Sequence, residues 1–223
     1  MMKRFSLFVL GLAGTWAFAQ EKTNFTSLPN IVKQIYPNEK LDTWAIYHVE
    51  DGAVQELKKV GTIAETSMPE QGFGLHPHAG TSYYYIAYTK AGKKNYVTTN
   101  EDLKKFIGKV DNVQEAAILG MLDGYFFDSE YKDYAGNYRE DAKNYYIELG
   151  KITSTQCPLQ KNHFIVTVPK GSSEIEKVDD VGKYMELYMK SCKNNPRLLK
   201  LKEEHQAEVK REAERNNPQK KKR

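Results

Sequence analysis

The stretch from Thr98 to Phe127, TTNEDLKKFIGKVDNVQEAAILGMLDGYFF, constrains the fold more than any other part of the chain. Asn100 predicts the cap of a short helix. Its apolar residues Leu103, Phe106, Ile107 and Val110 fall at i, i+3, i+4 and i+7, one face of a 3.6-residue period. Gly108 weakens that helix near its end. Asn112 predicts the start of a second helix, and Glu115 three places on predicts a capping box. Val113, Ala116, Ala117, Met121 and Leu122 follow, with Ile118 and Leu119 widening the apolar surface. A helix apolar over more than half its circumference is expected in a core rather than against water. Gly124 stops it.

Segments with strand character lie on both sides of this helical pair. Residues 44–50 and 53–60 flank Asp51-Gly52, a strong hairpin signal because both turn positions require positive φ. Residues 83–89 and 95–98 predict a second hairpin around Ala91-Gly92-Lys93. Residues 62–65, 145–149 and 164–168 predict further strands. Ser27 predicts the cap of a short helix with Pro29 in its first turn. Asp180 predicts another cap, because Val181, Tyr184, Met185 and Tyr188 repeat the i, i+3, i+4, i+7 spacing. The expected class is α+β. Antiparallel hairpins form a sheet packed on the central helical pair and on that C-terminal helix.

The first residues point to export. Met1-Met2-Lys3-Arg4 is basic, residues 5–18 are largely apolar, and Ala17-Phe18-Ala19 is a small-residue cleavage site. Residues 1–19 are therefore read as a signal peptide. The apolar run is shorter than the roughly 20 residues that span a bilayer, so cleavage after Ala19 is expected rather than anchoring. Nothing later is apolar enough to span. The mature chain is expected to be secreted or periplasmic, with one α+β domain over residues 20–195 and a charged helix with a basic tail over 196–223.

Charge is unevenly placed. The chain has 33 Lys+Arg against 29 Asp+Glu. Loss of Lys3 and Arg4 leaves 31 against 29. From Arg197 onward ten basic residues face five acidic ones. That tail could meet a protein or a polyanion. Its mixed charge, with Lys200 near Glu204 and Glu208 near Arg211, first predicts a solvated helix. Fifteen tyrosines suit half-buried sheet faces and binding surfaces alike.

Candidate chemistry is sparse. Residues 68–80, MPEQGFGLHPHAG, form a glycine- and proline-rich loop. His76 and His78 within it are the candidate metal ligands, with His48, His163 or a carboxylate to complete a set. Asp128, Ser129, Glu130, Asp133, Glu140 and Asp141 make an acidic connection over residues 128–144. It lacks the calcium-loop pattern and is expected to be solvated. No nucleotide-binding glycine motif and no nucleophile elbow appear, and no cofactor is implied. Cys157 and Cys192 are expected to form a disulfide, as an accessible pair does in an oxidising compartment. Cys192 continues the stripe of the helix expected from Asp180, so the bridge would pin that helix to the sheet. Asn24-Phe25-Thr26 is a glycosylation sequon, meaningful in a eukaryotic source.

The leading functional expectation is an exported accessory or binding protein without a catalytic site. The alternatives are a small exported hydrolase or metal-binding protein with a site near His76 and His78, and an envelope scaffold using the charged C-terminal helix.

Overall fold

A computed structural model describes residues 21–63, 67–77 and 80–215. The signal-peptide region, His78 and the last residues of the basic tail lie outside the described residues, and so does half of the short strand expected over residues 62–65, whose first two residues have no regular structure.

The class is α+β, with two antiparallel sheets. Strand β1 (Thr23–Asn24) leads to helix α1 (Leu28–Val32), whose cap is Ser27 with Pro29 in the first turn. Strands β2 (Thr43–Glu50) and β3 (Ala53–Val60) form the first hairpin. Asp51 and Gly52 sit at φ 50° and 80°, the left-handed pair that a two-residue turn demands. Strands β4 (Tyr83–Lys90) and β5 (Lys93–Val97) form the second, turning through Ala91 and Gly92 at φ 50° and 73°. These four strands make a sheet in the order β3-β2-β4-β5.

The helical pair follows as α2 (Asn100–Ile107) and α3 (Val113–Leu122). Thr99 rather than Asn100 caps α2, its hydroxyl accepting from the Asp102 N–H at 3.1 Å. Asn112 caps α3, accepting from the Glu115 N–H at 2.9 Å. Helix α3 is buried along most of its length, as its composition requires. It lies against the second sheet at Gly120. A Cβ there would come within 2.6 Å of a Leu149 methyl group, so the absent side chain sets how closely helix and sheet approach.

The second sheet runs β1-β6-β7-β8-β9. It is built from β6 (Asn137–Glu140), β7 (Asn144–Ser154), β8 (Leu159–Pro169) and β9 (Lys177–Leu187), with the one-turn helix α4 (Lys132–Ala135) before β6. One apolar core joins the two sheets around α1, α2 and α3. Trp44, Ile46, Tyr84 and Ile86 enter it from one side, and Ile147, Leu149, Val166 and Val168 from the other.

Further expectations are corrected. The helix expected from Asp180 is strand β9. In its pairing with β8, Asp180 faces Phe164 and Gly182 faces His163, so Val181 is an extra residue. Lys183 faces Asn162 and Met185 faces Lys161, so Tyr184 is another. Two bulges three residues apart break the period-2 alternation and imitate helical spacing. The connection over residues 128–144 is not a solvated loop throughout. It contains α4 and β6, and Asp128, Ala135 and Asn137 are buried.

The disulfide Cys157–Cys192 is present, with Cα atoms 5.5 Å apart. It does not pin a helix. It ties the β7–β8 turn to the segment beyond β9, where Cys192 is buried. The Asn194 side chain adds a hydrogen bond to the Cys157 carbonyl oxygen at 3.1 Å. Past this anchor, helix α5 (Pro196–Arg215) protrudes and contains no buried residue. Deleting Gln206–Arg223 should therefore move the melting temperature by less than about 2 °C, because almost no packed surface is lost. Differential scanning calorimetry checks this, and a larger fall would reveal a packed α5.

Candidate functional site

The outer face of the five-stranded sheet, turned away from the core, carries the polar residues of the alternation. Glu148 on β7 and Lys161 and His163 on β8 stand there. A polar outer face ordinarily meets water. Here Glu148 and His163 are buried, because the chain after α3 folds back across them. The Phe126 N–H and carbonyl bond the carbonyl and N–H of Gly150 at 2.8 and 2.9 Å. That bridge delivers Asp128 above the sheet, and α4 follows over β7 and β8.

Two charge clusters result. Asp128 Oδ2 accepts from Lys161 Nζ at 2.7 Å and from the Tyr184 hydroxyl at 2.9 Å, and Oδ1 accepts from the Glu130 N–H at 3.1 Å. Tyr184 reaches this point because it is the second bulge residue of β9, and a bulge re-aims a side chain. Gly150 makes room for it. A Cβ at Gly150 would lie 2.6 Å from the Tyr184 hydroxyl and 3.0 Å from the Phe126 ring. In the second cluster, Glu148 takes Lys22 Nζ at 2.7 Å and His163 Nε2 at 3.0 Å. The histidine contact is close but poorly aligned, so it acts through proximity rather than as a directed hydrogen bond. Tyr134 of α4 links the clusters, its ring centroid 6.4 Å from His163 and 5.8 Å from Tyr184.

Burial alone would push the Asp128 carboxyl up, but the bonds from Lys161 and Tyr184 outweigh it and hold the group below its usual range. Glu148 behaves alike: burial raises it, and the contacts with His163 and Lys22 lower it further. The Tyr184 phenol is pushed well up by burial and then by its bond to Asp128. A group whose folded pKa is depressed contributes stability above its unfolded pKa and loses it as pH falls through the folded value. Stability should therefore decline as pH drops below about 4, the ordinary carboxylate range. Asp128→Asn or Glu148→Gln should destabilise at pH 7 and flatten this acid limb. Urea unfolding from pH 7 to pH 3 checks the sign, and an unchanged limb in both variants would refute the assignment.

Beside Asp128 the surface opens into a cleft of about 470 Å³. Leu28, Pro29 and Phe127 form its apolar part, and Thr26, Ser27, His76, Asp128, Ser129, Glu130 and Lys161 its polar part. His76 thus reaches a place where other polar side chains converge, its ring 5.4 Å from that of Phe126. The histidines considered with it are elsewhere. His48 stacks on Tyr84 at 4.6 Å and shares a hydrogen bond with the Ser82 hydroxyl at 2.7 Å, while His163 is committed to Glu148. Among the described residues no group of three or more His, Cys, Asp or Glu side chains is placed to hold a metal ion. No described helix is long and apolar enough to cross a membrane.

Comparison with protein-family models, with curated proteins and with solved structures finds no match to this chain. The residues themselves must carry the functional argument. Sequence reasoning placed His76, considered His163 only as a metal ligand beside it, Asp128 only within a solvated acidic connection and Tyr184 only in a helical stripe, and gave Lys161 and Glu148 no role. The available signal was weak: Glu148 is polar within the Tyr145-to-Leu149 alternation, and local pattern does not reveal that α4 covers that face.

Proposed function

We propose that this is an exported binding protein with no reaction of its own, whose ligand seat is the cleft between α1 and the Asp128 loop. The observation that carries the reading is the matching of charges at the cleft floor. Asp128 is paired with Lys161 and bonded by Tyr184. A carboxylate held low and a phenol held high are poor proton carriers near neutral pH, where a general acid or base must exchange its proton. They are good fixed hydrogen-bonding partners. The cleft also has the composition of a recognition site, an apolar wall with a few convergent polar groups. Export is supported by the signal-like start and by the disulfide.

A thermal-shift screen of small polar compounds against the purified mature protein tests the reading. A compound that raises the melting temperature should lose its effect when Ser129→Trp fills the cleft, since Ser129 is exposed and lines it. Stoichiometric zinc, lost in the His76→Ala/His78→Ala double variant, would instead establish the metal-binding alternative. Mass spectrometry of the exported protein should show a chain beginning at Gln20.

A second reading has one observation in its favour. Helix α5 leaves the domain with Leu199, Leu201 and Val209 exposed. If it serves assembly, light scattering will show an oligomer that Leu198–Arg223 deletion dissolves.

A further inference from the structure

We infer that the ligand of this cleft is a neutral carbohydrate, stacked on Tyr131 and Tyr134 and hydrogen-bonded at the Asp128 end. This rests on the binding reading proposed above. Tyr131 directly follows the cleft residue Glu130 and is the N-cap of α4, while Tyr134 stands three residues further on, within α4. Residues three apart on a helix share a face. Both rings are unusually open for tyrosine next to a buried site: Tyr131 is 37 % exposed and Tyr134 50 %. Their inner sides are braced. Tyr134 lies parallel to Tyr184 within 6°, and Tyr131 packs against the same ring at 5.6 Å. Tyr184 is itself fixed by its hydroxyl bond to Asp128. The outcome is a pair of braced tyrosine rings beside the polar cleft, with Tyr131 tilted 56° to the Tyr184 plane that Tyr134 follows.

Ligand class follows from what the platform has left to offer. A cation would seek the aromatic rings and the Asp128 carboxylate together. That seat is filled by Lys161. Its Nζ lies 2.7 Å from Asp128, 5.3 Å from the Phe126 ring centroid and 5.9 Å from that of Tyr131. An anion would find Lys161 paired with Asp128, and Lys132, whose Nζ donates to the Thr26 carbonyl at 2.9 Å, offset by Glu130 exposed at the rim, so no surplus positive charge draws it. A purely apolar ligand would strand the polar cleft groups without partners. A sugar has what remains. Its C–H face covers an aromatic ring, and its hydroxyls both donate and accept. The cleft supplies the hydroxyls of Thr26, Ser27 and Ser129, and the carboxylates of Asp128 and Glu130, which keep unused lone pairs.

The test is binding of the full mature protein to a glycan array of neutral, acidic and amino-sugar oligosaccharides, followed by titration calorimetry with the best neutral oligosaccharide. Tyr134→Ala should weaken that binding about tenfold, and Tyr134→Trp should retain it, since stacking needs a ring face rather than a hydroxyl. Tyr131→Ala should act in the same direction. Circular dichroism of each variant establishes that it is folded, as expected for half-exposed side chains. Binding restricted to acidic or amino sugars overturns the inference. So does neutral-glycan binding that ignores both tyrosines, and so does an array with no bound glycan. A non-sugar compound that protects the protein and is lost in Ser129→Trp would overturn the carbohydrate while leaving the binding role. Failure of both screens would remove both.

Discussion

Replacing Cys157 and Cys192 with serine should lower the melting temperature by about 6–12 °C. The two cysteines are 35 residues apart in sequence. Cross-linking a loop of that length removes denatured-chain entropy worth about 4 kcal/mol, of which native-state effects commonly leave about 3. In a domain of this size each kcal/mol moves the melting temperature by about 2–4 °C. The closed loop contains β8 and β9, the outer two strands of the five-stranded sheet. Strand β9 has a partner on one side only and is interrupted by two bulges. The bridge thus adds a covalent constraint just beyond a strand whose nine residue pairs with β8 are broken by two bulges. Hydrogen exchange should locate the loss: β9 amides speed up most, and α3 amides follow only global stability. Because Tyr184 lies on β9, the platform beside the cleft should loosen as well. A melting temperature within about 2 °C of the parent would refute this account of the bridge.

Glu115→Gln should destabilise by about 2–3 kcal/mol, a fall of about 5–10 °C. Glu115 is 1 % exposed. Its Oε1 accepts from the Tyr36 N–H and its Oε2 from the Asp111 N–H, each at 2.9 Å. A capping box would send the carboxylate to the N–H of Asn112 itself. Here it bonds one residue earlier and also reaches across to the chain leaving α1. One side chain, itself buried, therefore satisfies two part-buried backbone donors from segments far apart in sequence. Glutamine retains one acceptor and turns an NH₂ group toward the other donor, leaving that N–H unpaired. Glu115→Ala leaves both unpaired and should cost more. Urea unfolding measures the difference. A loss under about 1 kcal/mol for Gln would mean that water reaches these donors.

The fold was legible wherever a local rule decides structure. Ser27 and Asn112 cap helices because their side chains bond the free N–H groups three residues on. Asp51-Gly52 turns because it tolerates positive φ. Of the candidate site, His76 was legible only as a histidine in a loop that lacks regular structure, and Asp128, Ser129 and Glu130 only as parts of an acidic connection. The partner residues were hidden because each looks like an ordinary surface group in its own segment. Asp128 reads as part of an acidic loop and Glu148 as the wet face of a strand. Burial of each depends on α4, which the local pattern does not announce.

By itself the sequence determined the α+β class, the buried central helix and the pairing of Cys157 with Cys192. These follow from periodicity, turn and cap chemistry, and from having two cysteines to pair. Tertiary structure alone decided that residues 177–187 are a strand. Val181, Tyr184, Met185 and Tyr188 satisfy a helical period, but β8 presents an open edge of unpaired backbone groups that β9 satisfies. The bulges that made the segment look helical are also what aims Tyr184 at Asp128. Long-range hydrogen bonding overrode local spacing, because β9 gives the edge groups of β8 partners along nine residue pairs whatever spacing its side chains show.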